Sequence, residues 1–186
     1  NPGFVTIGQK LGKEKLFDYI NKFGFGKKTG IDLNGEATGI LFNLNKVGPV
    51  ELATTSFGQR FEISPLQLVT AISAICNDGK LIEPKIVKQI ENTDTGSIET
   101  LETESVRQVI SKETADKVKN MMHSVVTDGT GKRAQVAGYS IGGKTGTAEK
   151  AIKDKENYQD PKVREGYGKL SGVLGIILNL LLFAGK

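Results

Sequence analysis

The sequence is poor in the residues that most often build metal centres, disulfide frameworks and base-stacking surfaces. Its 186 residues include one cysteine, Cys76, one histidine, His123, and no tryptophan. A single cysteine excludes an internal disulfide, and a His-based metal site or a Ser-His-Asp triad would depend on one histidine. Aromatic residues make up 6% of the chain, which argues against nucleic-acid binding by base stacking. We therefore expect no metal, no cofactor and no nucleic-acid partner.

Long apolar runs are also scarce. The run at 170–185 is interrupted by Ser171 and Asn179 and is shorter than the roughly 20 residues of a membrane span. It is either a buried strand or helix, or an end altered by a frame change or a gene-model error. The remaining composition, 38% hydrophobic and 25% charged with a dispersed net charge of +4, suits a folded globular domain. Asn1 is not an initiator methionine and begins no signal peptide, so we expect a processed or cut piece of a longer chain.

Capping residues mark the predicted helices. We predict four helices. The first starts at Asn1-Pro2 and ends at Gly12, and the second covers Lys13–Phe23. The third runs from Ser64-Pro65-Leu66-Gln67 to Asn77-Asp78-Gly79, and the fourth from Ser111 to Asp128-Gly129. Their periodicity directs Leu16, Tyr19, Ile20 and Phe23 of the second helix, and Ala115, Val118, Met121, Met122 and Val125 of the fourth, towards the core.

The extended segments lie between these helices. Residues 27–50 are predicted to be a loop, Lys85–Ile90 a strand that turns at 92–96 into a second extended piece, and Tyr139–Ala148 a strand. Helices and strands do not alternate regularly. We therefore predict a mixed α/β fold with an antiparallel sheet flanked by helices, rather than a doubly wound parallel sheet.

The tripeptide Lys-Thr-Gly occurs twice. Lys28-Thr29-Gly30 lies in a predicted turn, where a solvated turn is the simplest interpretation. Lys144-Thr145-Gly146 lies in the last predicted strand and is followed by Thr147. Because side chains alternate along a strand, Thr145 and Thr147 would point the same way and offer two hydroxyls to one carboxylate. An ordinary Thr-rich strand remains an equal alternative from this motif alone.

A nucleotide site is a second interpretation of the same residues. The segment from Gly138 to Thr145 matches the phosphate-loop pattern G-x-x-x-x-G-K-[ST]. That pattern requires a buried strand before it and a helix after it. Gly131-Lys132-Arg133-Ala134-Gln135 is a poor buried strand, and Gly146-Thr147 is a poor helix start, so the context disfavours nucleotide binding.

Three other residues could carry chemistry but are better explained otherwise. Ser56 has no general base nearby in the sequence. His123 lies off the apolar face of its helix and is expected at the surface. Cys76 lies near the buried side of its helix and is expected to contribute packing.

Taken together, the motifs from Asn1 to about Lys150 resemble the transpeptidase domain of class B penicillin-binding proteins of Gram-positive division or sporulation type. The resemblance rests on an ordered set: Asn1-Pro2-Gly3-Phe4-Val5, Phe23-Gly24-Phe25-Gly26, Thr29-Gly30-Ile31-Asp32-Leu33 with Gly35-Glu36, Phe57-Gly58-Gln59, Ile63-Ser64-Pro65-Leu66-Gln67, Asn77-Asp78-Gly79, Gly129-Thr130-Gly131 and Gly143-Lys144-Thr145-Gly146-Thr147-Ala148-Glu149. Asn1 corresponds to the last residue of the family's Ser-x-Asn motif.

The resemblance implies a β-lactamase-like fold and a mechanism. A serine of a Ser-x-x-Lys motif attacks the D-Ala-D-Ala carbonyl of a peptidoglycan stem peptide, and the acyl group then passes to a neighbouring stem. Lys144 would supply positive potential, Thr145, Gly146 and Thr147 would bind the terminal carboxylate, the N–H of Thr147 would be an oxyanion donor, and Asn1 would contact substrate. Stem peptides and β-lactams are the implied partners, with division or sporulation membrane proteins, at the extracytoplasmic face of the bacterial membrane.

The departures from the family limit what this chain does alone. No Ser-x-x-Lys occurs in the sequence, so no nucleophile can be named, and residues 151–186 do not follow the family's pattern. We expect a partial transpeptidase domain over 1–150, incomplete at its N-terminus, and an atypical segment over 151–186. The isolated chain should not be acylated by a fluorescent penicillin. A non-catalytic penicillin-recognising sensor of the same fold is the alternative function.

Overall fold

A computed structural model describes residues 1–146 and 181–182 of the chain. The chain divides into two units, Asn1–Lys117 and Val118–Lys186. The helices are α1 (Pro2–Leu11), α2 (Lys13–Lys22), α3 (Pro49–Ser56), α4 (Pro65–Cys76) and α5 (Lys112–Thr127), with short 3₁₀ turns at Leu44–Lys46 and Lys132–Ala134. The strands are β1 (Lys80–Ile82), β2 (Gln89–Glu91), β3 (Ile98–Thr100), β4 (Ser105–Gln108), β5 (Ile141–Gly142) and β6 (Leu181–Leu182).

The strand pairs within the described part of the chain are antiparallel. β1 pairs with β4, β2 with β3 and β5 with β6, so the described strands form three two-stranded pairs and not one continuous sheet. The β2–β3 hairpin turns through residues 92–96, as predicted, but β2 starts at Gln89 and not at Lys85. The predicted mixed α/β class is confirmed.

The predicted helix starts are confirmed in atomic detail at two caps. The Ser64 hydroxyl accepts a hydrogen bond from the Gln67 N–H at 3.1 Å, and the Gln67 Oε1 accepts one from the Ser64 N–H at 3.0 Å. The Ser111 hydroxyl accepts from the Thr114 N–H at 3.2 Å. Each contact spans three residues along the chain, which is why the sequence alone reveals it.

Helix α3 lies where no helix was predicted. Its cap position is Gly48, which has no side-chain acceptor, so the usual sequence signal is missing. The available signals were Pro49 in the first turn and Glu51, whose Oε2 accepts a hydrogen bond from the Gly48 N–H at 3.0 Å. Half of a capping box therefore starts this helix.

The core of the first unit lies where α4 meets the β1–β4 pair. Ala74, Leu81 and Val109 are buried together, with Phe23 and Ile110 packed against them. Strands β1 and β4 were not predicted, because each is only three or four residues long and its partner is far away in sequence. Their pairing depends on this shared core.

Two apolar residues predicted to face inward are exposed instead. Tyr19 is 40% exposed and Met121 is 66% exposed. In α2 the buried residue is Phe17, and at about 100° per residue Tyr19 lies about 160° around the helix from it. In α5 the buried positions Ala115 and Val126 define one face, and Met121 lies about 120° from Ala115. Phe17 was not among the residues predicted to face inward, so packing and not periodicity decides which side of α2 is buried.

Within the described residues, no helix combines the length and the apolar character required to cross a bilayer. The run at 170–185 is described only at Leu181–Leu182, which form β6. The prediction of an atypical segment over 151–186 otherwise falls outside the described residues.

Candidate active site

The second unit places the later Lys-Thr-Gly next to a short strand that is held against α5. The Gly143 N–H donates to the Met122 carbonyl at 3.0 Å. The His123 Nδ1 lies 3.1 Å from the Ile141 carbonyl, a hydrogen bond that requires the proton on Nδ1. Ile141 and Val126 are buried between strand and helix. The strand that precedes Lys144 is therefore anchored by hydrogen bonds and by apolar packing.

The Gly-Thr-Gly turn after α5 is fastened to the same end of that helix. The Gly129 N–H donates to the Ser124 carbonyl at 3.1 Å, and the Gly131 N–H donates to the Val125 carbonyl at 2.9 Å. A Cβ at Gly129 would lie 2.9 Å from the Val125 oxygen, and one at Gly131 would lie 3.0 Å from it. The backbone at both positions therefore lies so close to the last turn of α5 that a side chain would not fit without a shift. Thr130 is held between these two glycines.

Three of the predicted site residues, Lys144, Thr145 and Gly146, follow β5 after Gly143. Lys144 and Gly146 are exposed and Thr145 is half-buried. The Lys144 Nζ donates to the Thr145 carbonyl at 2.6 Å, and the Thr145 Oγ1 lies 2.9 Å from the Thr130 Oγ1. Adjacent residues therefore carry an ammonium group and a hydroxyl, both of which are groups that can bind a carboxylate.

The strand predicted over 139–148 is shorter than expected. Before residue 147 it comprises Ile141–Gly142 alone, and Lys144–Gly146 have no regular secondary structure. Thr147 lies outside the described residues. Its alignment with Thr145 and its oxyanion role therefore stay predictions.

Asn1, the remaining predicted substrate contact, belongs to the first unit. It is exposed and occupies the N-cap position of α1, but its side chain makes no capping hydrogen bond. Its carbonyl accepts from the Val5 N–H at 3.1 Å. The helix therefore uses the backbone of Asn1 and not its side-chain amide.

The earlier Lys-Thr-Gly, at residues 28–30, already binds a carboxylate of this chain, that of Glu36. The N–H groups of Thr29 and Gly30 donate to the two oxygens of Glu36, at 2.6 and 3.4 Å. Burial pushes the pKa of Glu36 up, but hydrogen bonds from Thr29 and Gly30 and the charge of Lys28 outweigh it, so the pKa lies below its ordinary value. The prediction of a simple solvated turn is therefore incomplete.

The surroundings of Gly138–Thr145 do not fit a phosphate loop. The strand of this segment, Ile141–Gly142, lies inside the motif and not before it. The preceding Lys132–Ala134 forms a 3₁₀ turn, and Lys144–Gly146 begins no helix. Nucleotide binding is therefore not supported by the local geometry.

The other candidate side chains are engaged in helix contacts. The Ser56 hydroxyl donates to the Leu52 carbonyl at 2.6 Å, and the Cys76 thiol donates to the Ile72 carbonyl at 3.1 Å. Both residues are partly buried. Among the described residues, no group of three or more His, Cys, Asp or Glu side chains is arranged to hold a metal.

The fold and the Lys-Thr-Gly site place the chain among the penicillin-binding transpeptidases. It is similar to crystal structures of penicillin-binding protein 3 from Mycobacterium tuberculosis, complexed with aztreonam (TM-score 0.76, 33% identity, 81% of this chain and 35% of that chain). The complex of that protein with ampicillin gives a TM-score of 0.75 at 32% identity, over 80% of this chain and 34% of that one.

The family follows from the sequence match. Residues 1–170 match the penicillin binding protein transpeptidase domain, and the chain belongs to this family. It is 54% identical to stage V sporulation protein D of Bacillus subtilis over 155 residues, which are 83% of this chain and 24% of that protein. It is 34% identical to penicillin-binding protein PbpB of Mycobacterium tuberculosis, over 80% of this chain and 23% of that protein. The resemblance inferred from the motifs is confirmed, and the chain spans about a quarter of the length of these relatives.

Proposed function

We propose that this chain forms part of a peptidoglycan D,D-transpeptidase that cross-links stem peptides ending in D-Ala-D-Ala. The acyl-enzyme serine would come from a part of the protein outside these residues, since no Ser-x-x-Lys occurs in them. The observation that carries the proposal is the segment Lys144-Thr145-Gly146, in which an exposed lysine is followed by a half-buried threonine and an exposed glycine. Family membership supplies the chemistry that this surface would serve.

Each site residue has a proposed role. Lys144 attracts the carboxylate of the terminal D-Ala, and its charge favours the anion that develops during acyl transfer. Thr145 donates a hydrogen bond to the carboxylate, and Gly146 leaves space for the peptide to approach the backbone. Thr147 supplies a second hydroxyl and an N–H that stabilises the oxyanion, worth about 3 kcal/mol of the barrier. Asn1 contributes its free side-chain amide to the stem peptide.

The hydrogen bonds around β5 support this assignment. A carboxylate site gains affinity when its donors are held in place before the ligand arrives. The anchoring of Gly143 to Met122, and of Ile141 to His123, holds the strand that leads into Lys144. The site residues are thus carried on rigid structure, although they lie in an irregular segment themselves.

The cellular setting is proposed from the relatives. The identity of 54% to a stage V sporulation protein favours cell-wall synthesis during sporulation over division. β-Lactams would be ligands because they mimic the D-Ala-D-Ala dipeptide and acylate the same serine. We place the domain at the extracytoplasmic face of the membrane, where peptidoglycan is assembled, beside membrane proteins of sporulation or division.

A non-catalytic penicillin-recognising sensor is the second candidate, and one experiment separates the two. The full-length protein is incubated with a fluorescent penicillin and, separately, with a D-Ala-D-Ala stem peptide and an acceptor amine. A transpeptidase gives a penicillin adduct on serine and a cross-linked product with release of D-Ala, both measured by mass spectrometry. An adduct without transfer product favours the sensor, and the absence of both refutes the proposal.

A further inference from the structure

Thr130 lies beside the Lys-Thr-Gly segment although it is fifteen residues earlier in the chain. Its Oγ1 is 2.9 Å from the Oγ1 of Thr145, and either atom could be the donor. We propose that Thr130 is a positioning residue, whose hydroxyl donates to Thr145 and thereby directs the Thr145 proton towards the carboxylate of the ligand. This inference rests on the proposed function, because it requires that Thr145 binds a carboxylate.

The direction of the hydrogen bond follows from counting protons. Each threonine hydroxyl has one proton and two acceptor lone pairs, and an ionised carboxylate only accepts. If Thr145 donated to Thr130, its oxygen would turn lone pairs towards the carboxylate and repel it. With Thr130 as donor, Thr145 keeps its own proton for the ligand. Two hydrogen bonds in series then end on an anion, and each polarises the next.

Thr130 is held firmly enough to act in this way. The two glycines beside it lie against the last turn of α5, where neither tolerates a side chain without displacement of the Val125 carbonyl. The Gly131 carbonyl also accepts from the Ala134 N–H at 2.9 Å, which closes the following turn. The same helix also anchors Gly143, through the Met122 carbonyl. The segments that carry Thr130 and Thr145 are therefore both held by α5.

The test uses the full-length protein and a pair of penicillins, one with its free carboxylate and one as the methyl ester. Thr130→Val keeps the shape of the side chain and removes the hydroxyl, whereas Thr130→Ser keeps the hydroxyl. We expect Thr130→Val to lower the second-order acylation rate for the free carboxylate about tenfold, the size of one hydrogen bond, and to change the ester rate less than about twofold. Thr130→Ser should restore most of the loss.

Thr145→Val is the companion variant that separates this inference from the proposed function. It should reduce the free-carboxylate rate at least as much as Thr130→Val, and the double variant should lose no more than Thr145→Val alone. If Thr145→Val lowers the rate and Thr130→Val does not, the positioning role is wrong and the proposed function stands.

Two other results would also overturn the inference. Equal losses for the carboxylate and the ester in Thr130→Val, at an unchanged melting temperature, would show a general effect on the site and not proton direction. If Thr145→Val leaves both rates unchanged, Thr145 does not bind the carboxylate, and the role of Thr130 falls together with that part of the proposed function.

Discussion

The two Lys-Thr-Gly segments of this chain have the same residues and different surroundings. At Lys28-Thr29-Gly30, backbone N–H groups donate to the carboxylate of Glu36, seven residues or fewer away. At Lys144-Thr145-Gly146, no carboxylate among the described residues binds the segment, and the threonine hydroxyl faces that of Thr130. The tripeptide therefore binds a carboxylate of the chain in the first place, and in the second its threonine hydroxyl meets another hydroxyl.

The difference shows that the Lys-Thr-Gly motif supplies hydrogen-bond donors, and that the surrounding fold determines which groups accept from them. Glu36 gives the first segment a structural role, and Gln67 also holds this loop. The Gln67 side chain is 1% exposed and its Nε2 donates to the carbonyls of Lys27 and Thr38 at 2.6 and 2.9 Å. The second segment instead follows Gly143, whose N–H donates to the Met122 carbonyl of α5, and its Lys144 is exposed.

The largest expected effect separates the two lysines. In the full-length protein, Lys144→Met should slow acylation by a fluorescent penicillin roughly 100-fold, because it would remove the positive charge that we propose to stabilise the developing anion. Lys28→Met should change the rate less than about twofold, since its segment is already filled by Glu36. Stopped-flow acylation rates measure both, and equal losses in the two variants would contradict the comparison.

The next effect concerns stability and belongs to the first segment. Gln67→Leu should lower the free energy of unfolding by about 2–4 kcal/mol, because it removes the side-chain partner of three partly buried hydrogen bonds. Gln9→Leu, on the exposed surface of α1, should change it by less than about 0.5 kcal/mol. Urea titration measures both, and a loss below 1 kcal/mol at Gln67 would show that the loop does not depend on it.

A smaller loss is expected from Glu36→Ala. The N–H groups of Thr29 and Gly30 would lose their acceptor, and the free energy of unfolding should fall by about 1–2 kcal/mol with an unchanged acylation rate. Glu99→Ala, an exposed strand residue, is the matched control and should be nearly neutral. A large fall in the acylation rate of Glu36→Ala would mean that the first segment takes part in catalysis.

The smallest effect is a pH dependence of the same contact. The pKa of Glu36 is lowered in the folded protein, so its contribution to stability is present above its unfolded pKa and is lost as the pH falls through the folded pKa. The difference in unfolding free energy between wild type and Glu36→Gln should be constant near neutral pH and shrink below about pH 4.3. The pKa of Asp32 is also lowered, by hydrogen bonds from the N–H groups of Val87 and Ile86. Because Asp32 is present in both proteins, its contribution cancels in the difference between their unfolding free energies. A difference that grows with acid would refute the contact.

Local signals predicted most of the helical structure. The caps at Ser64 and Ser111 and the stop before Gly12 depend on groups three or four residues apart, which the sequence displays directly. Strands β1 and β4 were missed because three or four residues carry little intrinsic preference, and Lys80 pairs with Gln108 only after the chain between them has turned. The inward-facing edges of α2 and α5 were also set by packing and not by periodicity.

For this protein, the order of its motifs was enough to identify the family. The same motifs predict Lys144, Thr145 and Gly146 as site residues, because a short motif brings its own hydrogen-bond donors. Only the tertiary structure decided that Glu36 fills one Lys-Thr-Gly and that Thr130 stands beside the other. The physical reason is the separation along the chain. Thr130 and Thr145 are fifteen residues apart, so their hydroxyls come within 2.9 Å only after α5 and β5 have packed together. The sequence therefore determines which hydrogen-bond donors the chain has, and the tertiary structure determines which partners they contact.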